Sequence, residues 1–351
     1  MEKFVTVTES YEDLYQILMG AVKARFMMSA LDLKVFNELD SFHSADQVAE
    51  ILGTHHGNTR RLLDALTMID LLEKKNGLYR NLPVAQAFLV EGSHTYLGPF
   101  LQLSQKMNVD TLDDLKGLVL SGPTAEVDGA GMGSEALWAE AARAGAGWAL
   151  GGVARFMAET LSVLPEFSSF RKMLDLGGGA GIFAIAMVDA HPSMKGVVFD
   201  QPAVAKVAEE YINAFHMEDR IRAVGGDYTR DVLGNDYDLI WACATLNFVK
   251  QDMDAMIKRI YDALNPGGVF ISFQDGMTHE QTQPETMLGH FGHAMMTGID
   301  VSLDQGFVAD AMLRAGFRSV CSRTLETPIG PMDMDVARKL IRPEKERFPT
   351  H

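Results

Sequence analysis

The segment LDLGGGAGIFAIA, from Leu174 to Ala186, sets Gly177, Gly179 and Gly181 between an apolar run and a helical one, directly after Asp175. Glycines at such a turn let a ligand approach the backbone closely, because a residue without a Cβ leaves room and accepts left-handed conformations. A dinucleotide turn reads G-x-G-x-x-G and seats a pyrophosphate on the following helix. Here the third glycine comes one residue earlier, behind an acid. Asp200 ends the run VVFD about 20 residues on, where a carboxylate can hold both hydroxyls of a ribose. Asp227 and Tyr228, in VGGDYT, close a third run and offer an acid for an adenine amino group and a ring to pack on the base. The acid-first glycine turn suits a ligand with an amine and a sulfonium charge and no phosphate. Cys243, in LIWACA, joins this candidate set as a wall residue, with a buried small hydrophobe as its bland reading.

A second group could act on the acceptor. The loop in LIWACATLNFVK carries Asn247 and Phe248, and VFISFQDGM carries Gln274 and Asp275. Neither carboxamide is an acid or a base. Both could orient a bound substrate without acid–base duty. TMLGHFGHAMMTG puts His290 and His293 three residues apart on one helix, followed by Ala294 and Met295. Either imidazole could act as a base, and packing explains the pair equally well. With Asp275 they could hold a metal, but Asn247 is a poor further ligand, so no metal is expected.

These residues need a scaffold. From Arg171 onward, KMLDLGG, KGVVFD, IRAVGGD, YDLIWACA and GGVFISFQ alternate with helical segments, which predicts an α/β fold with a doubly wound parallel sheet over residues 171–351. Residues 1–105 read as helical, with a Ser44 cap before ADQVAEILG, an amphipathic NTRRLLDALTMIDLLEKK and a hairpin at NGLYRNLP, the pattern of a winged helix. Residues 106–170 read as a helical connector. Its glycine-rich stretches VDGAGMGSEALW and RAGAGWALGG are expected to bend it, bringing Trp148, Phe156 and Met157 toward a cleft. Arg143 and Arg155 are candidates for a substrate carboxylate.

Composition narrows the partners. The 351 residues carry 31 Lys and Arg against 47 Asp and Glu, a formal charge of −16, which disfavours nucleic acid and anionic membranes and favours a cationic ligand. A DNA-binding regulator that senses its ligand would need a more basic helix than NTRRLLDAL. The two cysteines, the acidic start and the lack of a long apolar run point to a cytoplasmic protein.

In order, MLDLGGGAGIFAIA, HPSMKGVVFDQPAV, IRAVGGDYT, ALNPGGVFIS and AGF resemble the motif run of S-adenosylmethionine-dependent methyltransferases. Specifically, the chain is similar to the plant-type small-molecule O-methyltransferase family and its bacterial relatives, over nearly its whole length. The resemblance implies S-adenosylmethionine as cofactor, contacted by Gly177, Gly179, Asp200, Asp227 and Tyr228. It also implies a homodimer with swapped N-terminal helices and a small-molecule substrate bound between the domains. In O-methylating members the loop position of Asn247 holds a histidine base, and an acid stands near Gln274. Methyl transfer from a sulfonium is an in-line displacement in which positioning supplies much of the catalysis. A phenol, with a pKa of about 10, also has to lose a proton, and a placed base contributes roughly 10²–10⁴-fold. A thioether has no proton to lose, so Asn247 and Gln274 direct the reading to S-methylation by orientation alone, as in the relatives that use 4-methylthio-2-hydroxybutyrate on the way to dimethylsulfoniopropionate. O-methylation through His290 or His293 is the alternative, and metal-assisted C-methylation a further one.

Overall fold

The computed structural model describes residues 7–123 and 134–341, and the chain divides into two compact units, Met1–Gly98 and Pro99–His351. The first unit runs through α1 (Glu12–Asp32), β1 (His43–Ser44), α2 (Ala45–Leu52), α3 (His56–Met68), β2 (Leu72–Lys75), β3 (Leu78–Asn81) and α4 (Pro83–Phe88). Helix α2 starts at a capping box. The Ser44 hydroxyl accepts from the Gln47 amide at 3.2 Å, and the Gln47 side chain accepts from the Ser44 amide at 2.8 Å. It stops at Gly53, whose φ of 64° is the left-handed cap that frees the last carbonyls. Asn76 and Gly77, at φ 53° and 79°, make the two-residue turn that joins β2 to β3 in the hairpin wing. Phe36, Leu39, Leu63, Leu66 and Tyr79 form the buried core beneath it. Arg60 lies 3.6 Å from Asp46, and Arg61 donates to the Gly57 carbonyl. Along α1, Leu14, Tyr15, Leu18, Val22 and Phe26 are exposed at helical spacing.

The second unit opens with α5 (Gly98–Asn108) and α6 (Leu115–Ser121), followed by α7 (Glu135–Trp148), a π-helical turn at Ala149–Val153 and α8 (Ala154–Ser162). Most of the first glycine-rich stretch, residues 124–133, lies outside the described residues. The second is helical and breaks at Gly152, where φ reaches 123°. A conformation open to glycine thus sets the bend.

The sheet behind it contains the parallel strands β4 (Lys172–Leu176), β5 (Lys195–Asp200), β6 (Ile221–Gly225), β7 (Tyr237–Cys243) and β8 (Leu264–Gln274), then the hairpin β9 (Ser319–Thr327) and β10 (Gly330–Arg338). Their spatial order is β6-β5-β4-β7-β8-β10-β9, with β10 antiparallel to both neighbours. The helices are α9 (Ile182–Asp189), α10 (Pro202–Ala214), α11 (Met253–Ala263), α12 (Leu288–Thr297) and α13 (Phe307–Ala315). Alternation along the strands divides the core. Met173, Val198, Trp241, Ile271 and Phe273 pack with α8 and α9 on one face, and Leu174, Phe199, Ile240 and Phe270 pack with α11 and α13 on the other. Each such side chain contributes about 1.5–3 kcal/mol by leaving water. The chain winds outward from β4 in both directions, and this reversal opens a crevice beyond the carboxyl ends of β4 and β7. The sheet thus has the doubly wound form expected, with two further strands that the apolar runs did not reveal.

Candidate cofactor and acceptor site

At the end of β4 the backbone turns through Gly177 (φ 61°), Gly179 (φ 55°) and Gly181 (φ 74°) into α9. The Gly177 amide donates to the Phe199 carbonyl at 2.8 Å, and a Cβ on Gly177 would fall 2.0 Å from the Thr245 hydroxyl. Gly179 is different. A Cβ there would meet only Ala142, at 4.0 Å, so its side faces open space, and its amide donates to Asp200 Oδ2 at 2.8 Å. Asp200 also accepts from its neighbour Gln201 at 2.7 Å, and burial pushes its carboxyl up against the pull of these two amides.

These groups wall a cavity of about 180 Å³ beside the crevice. Gly177, Gly179 and Asp200 line one side, Tyr228 and Thr245 another, and Trp138 and Phe248 close over it with ring centroids 5.1 Å apart. Thr245 donates to the Tyr228 hydroxyl at 3.1 Å, and burial moves that phenol up to about 12, so it stays protonated. Among the described residues the lining has a carboxylate and aromatic rings and no lysine or arginine. It fits a nucleoside with hydroxyls to bond.

Other expected cofactor contacts sit elsewhere. Asp175 points away from the cavity and accepts from the Ala184 amide at 3.2 Å, at the start of α9. Burial raises its carboxyl to about 7, offset in part by that amide and reinforced by the charge of Asp200. Gly181 is the left-handed residue before α9, and a Cβ there would press on Val198 at 3.1 Å. Asp227 closes its own turn, accepting from the Thr229 amide at 2.9 Å and the Thr229 hydroxyl at 2.6 Å, with Arg230 at 3.4 Å. Those bonds hold its carboxyl below the usual range and leave the cavity wall to Tyr228. Cys243 stands behind the wall, its thiol pushed well up by burial and by the charges of Asp175 and Asp275.

On the acceptor side, Asn247 and Gln274 are buried, and neither Asn247 Oδ1 nor Gln274 Oε1 has a hydrogen-bond partner among the described residues. Asp275 Oδ2 lies 3.6 Å from His290 Nε2. His293 is moved down by burial and by the neighbouring His290. Among the described residues, no group of three or more histidine, cysteine or acidic side chains is placed to hold a metal ion.

The connector residues divide by packing. Met157 is fully buried in the core, Trp148 sits edge-on against Phe183 at 5.7 Å, and Phe156 is 44% exposed, so none of the three lines the cavity. Ala294 and Met295 are partly buried on α12. Arg143 pairs with Glu210 at 2.7 Å and Arg155 with Glu159 at 2.8 Å, both on the surface. Sequence reasoning missed Trp138, Ala142, Gln201, Val204 and Thr245 in the wall. For Thr245 a signal was available, since it follows the end of β7 at the topological switch point.

The family model for an O-methyltransferase domain matches residues 149–300, and that for an O-methyltransferase dimerisation domain matches residues 15–91. The chain is 28% identical to the N,N-dimethyltransferase OxyT of Streptomyces rimosus, over 90% of this chain and 93% of that one. It is 30% identical to the tetracenomycin polyketide synthesis 8-O-methyl transferase TcmO of Streptomyces glaucescens, over 74% of this chain and 77% of that one. Human N-acetylserotonin methyltransferase, solved in complex with S-adenosylmethionine, superposes with a TM-score of 0.76 at 23% identity, covering 96% of this chain and all of that one. The chain belongs to the small-molecule O-methyltransferase family. Within it, the protein is an S-adenosylmethionine-dependent methyltransferase with an N-terminal dimerisation domain and a C-terminal Rossmann-like sheet.

Proposed function

We propose that the protein transfers the methyl group of S-adenosylmethionine to an oxygen of a small hydroxylated molecule, as a homodimer. The observation that carries the cofactor side is the cavity at the switch point, where Asp200 and Tyr228 stand ready for a ribose and a base. The acceptor atom is taken from the relatives, among which TcmO is named for an 8-O-methyl transfer. The dimer is argued from the apolar row Leu14, Tyr15, Leu18, Val22 and Phe26 on α1, within the segment that matches the dimerisation model. A second copy is the simplest cover for such a row. Replacing Leu14 and Leu18 together by Asp is expected to halve the sedimenting mass, and an unchanged mass would remove the dimer from the proposal.

A second reading has its own observation. Asn247 occupies the loop after β7 with a carboxamide, which orients a substrate and takes no proton. That suits S-methylation of a thioether such as 4-methylthio-2-hydroxybutyrate. Incubation with labelled S-adenosylmethionine and parallel phenol, amine and thioether acceptors separates the readings. Label in the phenol products is the expected result, and label in the thioether alone would reverse the choice.

A further inference from the structure

We propose that His290, oriented by Asp275, is the general base that takes the acceptor's hydroxyl proton, a duty that Asn247 cannot perform. The inference deepens the oxygen-transfer reading above and rests on it. His290 stands on α12 with Nε2 3.6 Å from Asp275 Oδ2, and the two side chains keep 23% and 31% of their surface exposed. They are therefore partly desolvated and still open to a ligand. The separation exceeds a direct hydrogen bond, and catalytic contacts of this kind commonly tighten only when substrate is bound.

Asp275 leaves the sheet beside the strand that leads into the cavity wall. Asp275 directly follows β8, whose neighbour β7 ends at Cys243, and the charges of Asp275 and Asp175 both reach the Cys243 thiol. The next two residues, Ala244 and Thr245, belong to the cavity wall. Helix α12 packs closely where its two glycines lie. A Cβ on Gly289 would come within 2.7 Å of the Asn108 side chain, and one on Gly292 within 2.9 Å of Leu112. Among the described residues, the charged and titratable groups recorded against His290 are Asp275, just after β8, and His293 on its own helix, with Cys243 and Asp175 near Asp275.

With Nε2–H turned to Asp275, Nδ1 is the free acceptor on the imidazole. In the step, the hydroxyl proton moves to Nδ1 while the oxygen–methyl bond forms and the sulfur–methyl bond breaks. S-Adenosylhomocysteine leaves neutral, and the positive charge ends on an imidazolium paired with the Asp275 carboxylate. Asp275 is accordingly a positioning residue, which acts through His290.

The test has two arms. In the first, the His290 Cε1–H proton resonance, identified by its loss in His290→Gln, is followed in the complexes with S-adenosylhomocysteine and with S-adenosylmethionine. The resonance is expected to differ between the two, because a sulfonium charge close to the ring is present only in one; identical positions would overturn the placement whatever the acceptor. In the second arm, methyl transfer to a phenol panel containing catechol and hydroxynaphthoates is measured beside 4-methylthio-2-hydroxybutyrate. His290→Gln is expected to lower kcat for the accepted phenol about 10²–10⁴-fold and to leave the cofactor KM and the melting temperature in place. Added imidazole should restore part of the activity of His290→Ala, and Asp275→Asn should cost about ten- to a hundredfold. Wild-type phenol turnover by His290→Gln would overturn the inference alone. Turnover of the thioether alone would overturn the oxygen reading, and with it any need for a base.

Discussion

Asp175 and Asp200 carry the same side chain at the ends of adjacent strands and meet opposite surroundings. Asp200 holds two backbone amides at the cavity wall, whereas Asp175 is sealed beneath the glycine turn with one. A sealed carboxyl near pH 7 binds its proton more tightly in the fold than in the unfolded chain, where its pKa is about 3.9. Its contribution to stability is therefore fully present below about pH 4 and is lost as pH rises through about 7. Asp175→Asn keeps an acceptor for the Ala184 amide and removes that loss. The variant is expected to match the wild type in denaturant unfolding at pH 4 and to exceed it by roughly 2–4 kcal/mol at pH 8.5. Asp200→Asn, in contrast, is expected to weaken S-adenosylhomocysteine about tenfold or more in calorimetric titration, since a charged acceptor on the ribose is replaced by a neutral one. Asp227 carries a local duty as well as the ligand contact expected of it. An Asp two residues before a Thr bonds its own turn, a competition visible in DYT itself.

At the scale of elements, the crossing between the glycine turn and the loop after β7 is what the sequence could not display. Glycine announces a positive φ, so the turn could be placed from Gly177, Gly179 and Gly181 alone. Thr245 is marked only by its place after β7, yet its hydroxyl fills the space beside Gly177 and steadies Tyr228. Thr245→Val is expected to loosen S-adenosylhomocysteine several-fold by isothermal titration while Thr245→Ser retains it, consistent with one hydrogen bond worth about 1 kcal/mol. Equal loss in both variants would point to the methyl group instead. The hairpin β9–β10 escaped the reading of apolar runs for a related reason. Met332, Met334 and Val336 alternate as a strand should, but the intervening Asp333 and Asp335 are buried too. Asp333 is satisfied by Gln305 at 2.9 Å and Thr324 at 2.7 Å, partners distant or unremarkable in sequence. Strand β9 is the sheet's edge and largely exposed, so it lacks the continuous apolar run that betrays the central strands.

The whole molecule acts through its charge. At −16 it attracts the sulfonium of S-adenosylmethionine and has no such preference for the neutral sulfur of the product. The affinity ratio of cofactor to product is therefore expected to fall as salt rises from 20 mM to 500 mM in titrations of both, with most of the change on the cofactor side. A ratio independent of salt would confine the discrimination to short-range contacts. The doubly wound architecture was open to inference from the alternation of apolar runs and helices, because burial on both faces of a parallel sheet leaves that mark on every central strand. The walls of the cavity were not, because Trp138 reaches it from a helix more than thirty residues ahead of the glycine turn, and no periodicity records which helix will lie over a strand end.

The bond from the Gly179 amide to Asp200 has a consequence in time. Its proton can exchange with water only when the turn parts from β5, so the Gly179 amide is a clock for the opening of the ligand's seat. A ligand that takes up the other lone pairs of Asp200 holds the turn shut, and the rate of that one exchange event measures how often an empty enzyme stands ready to be filled.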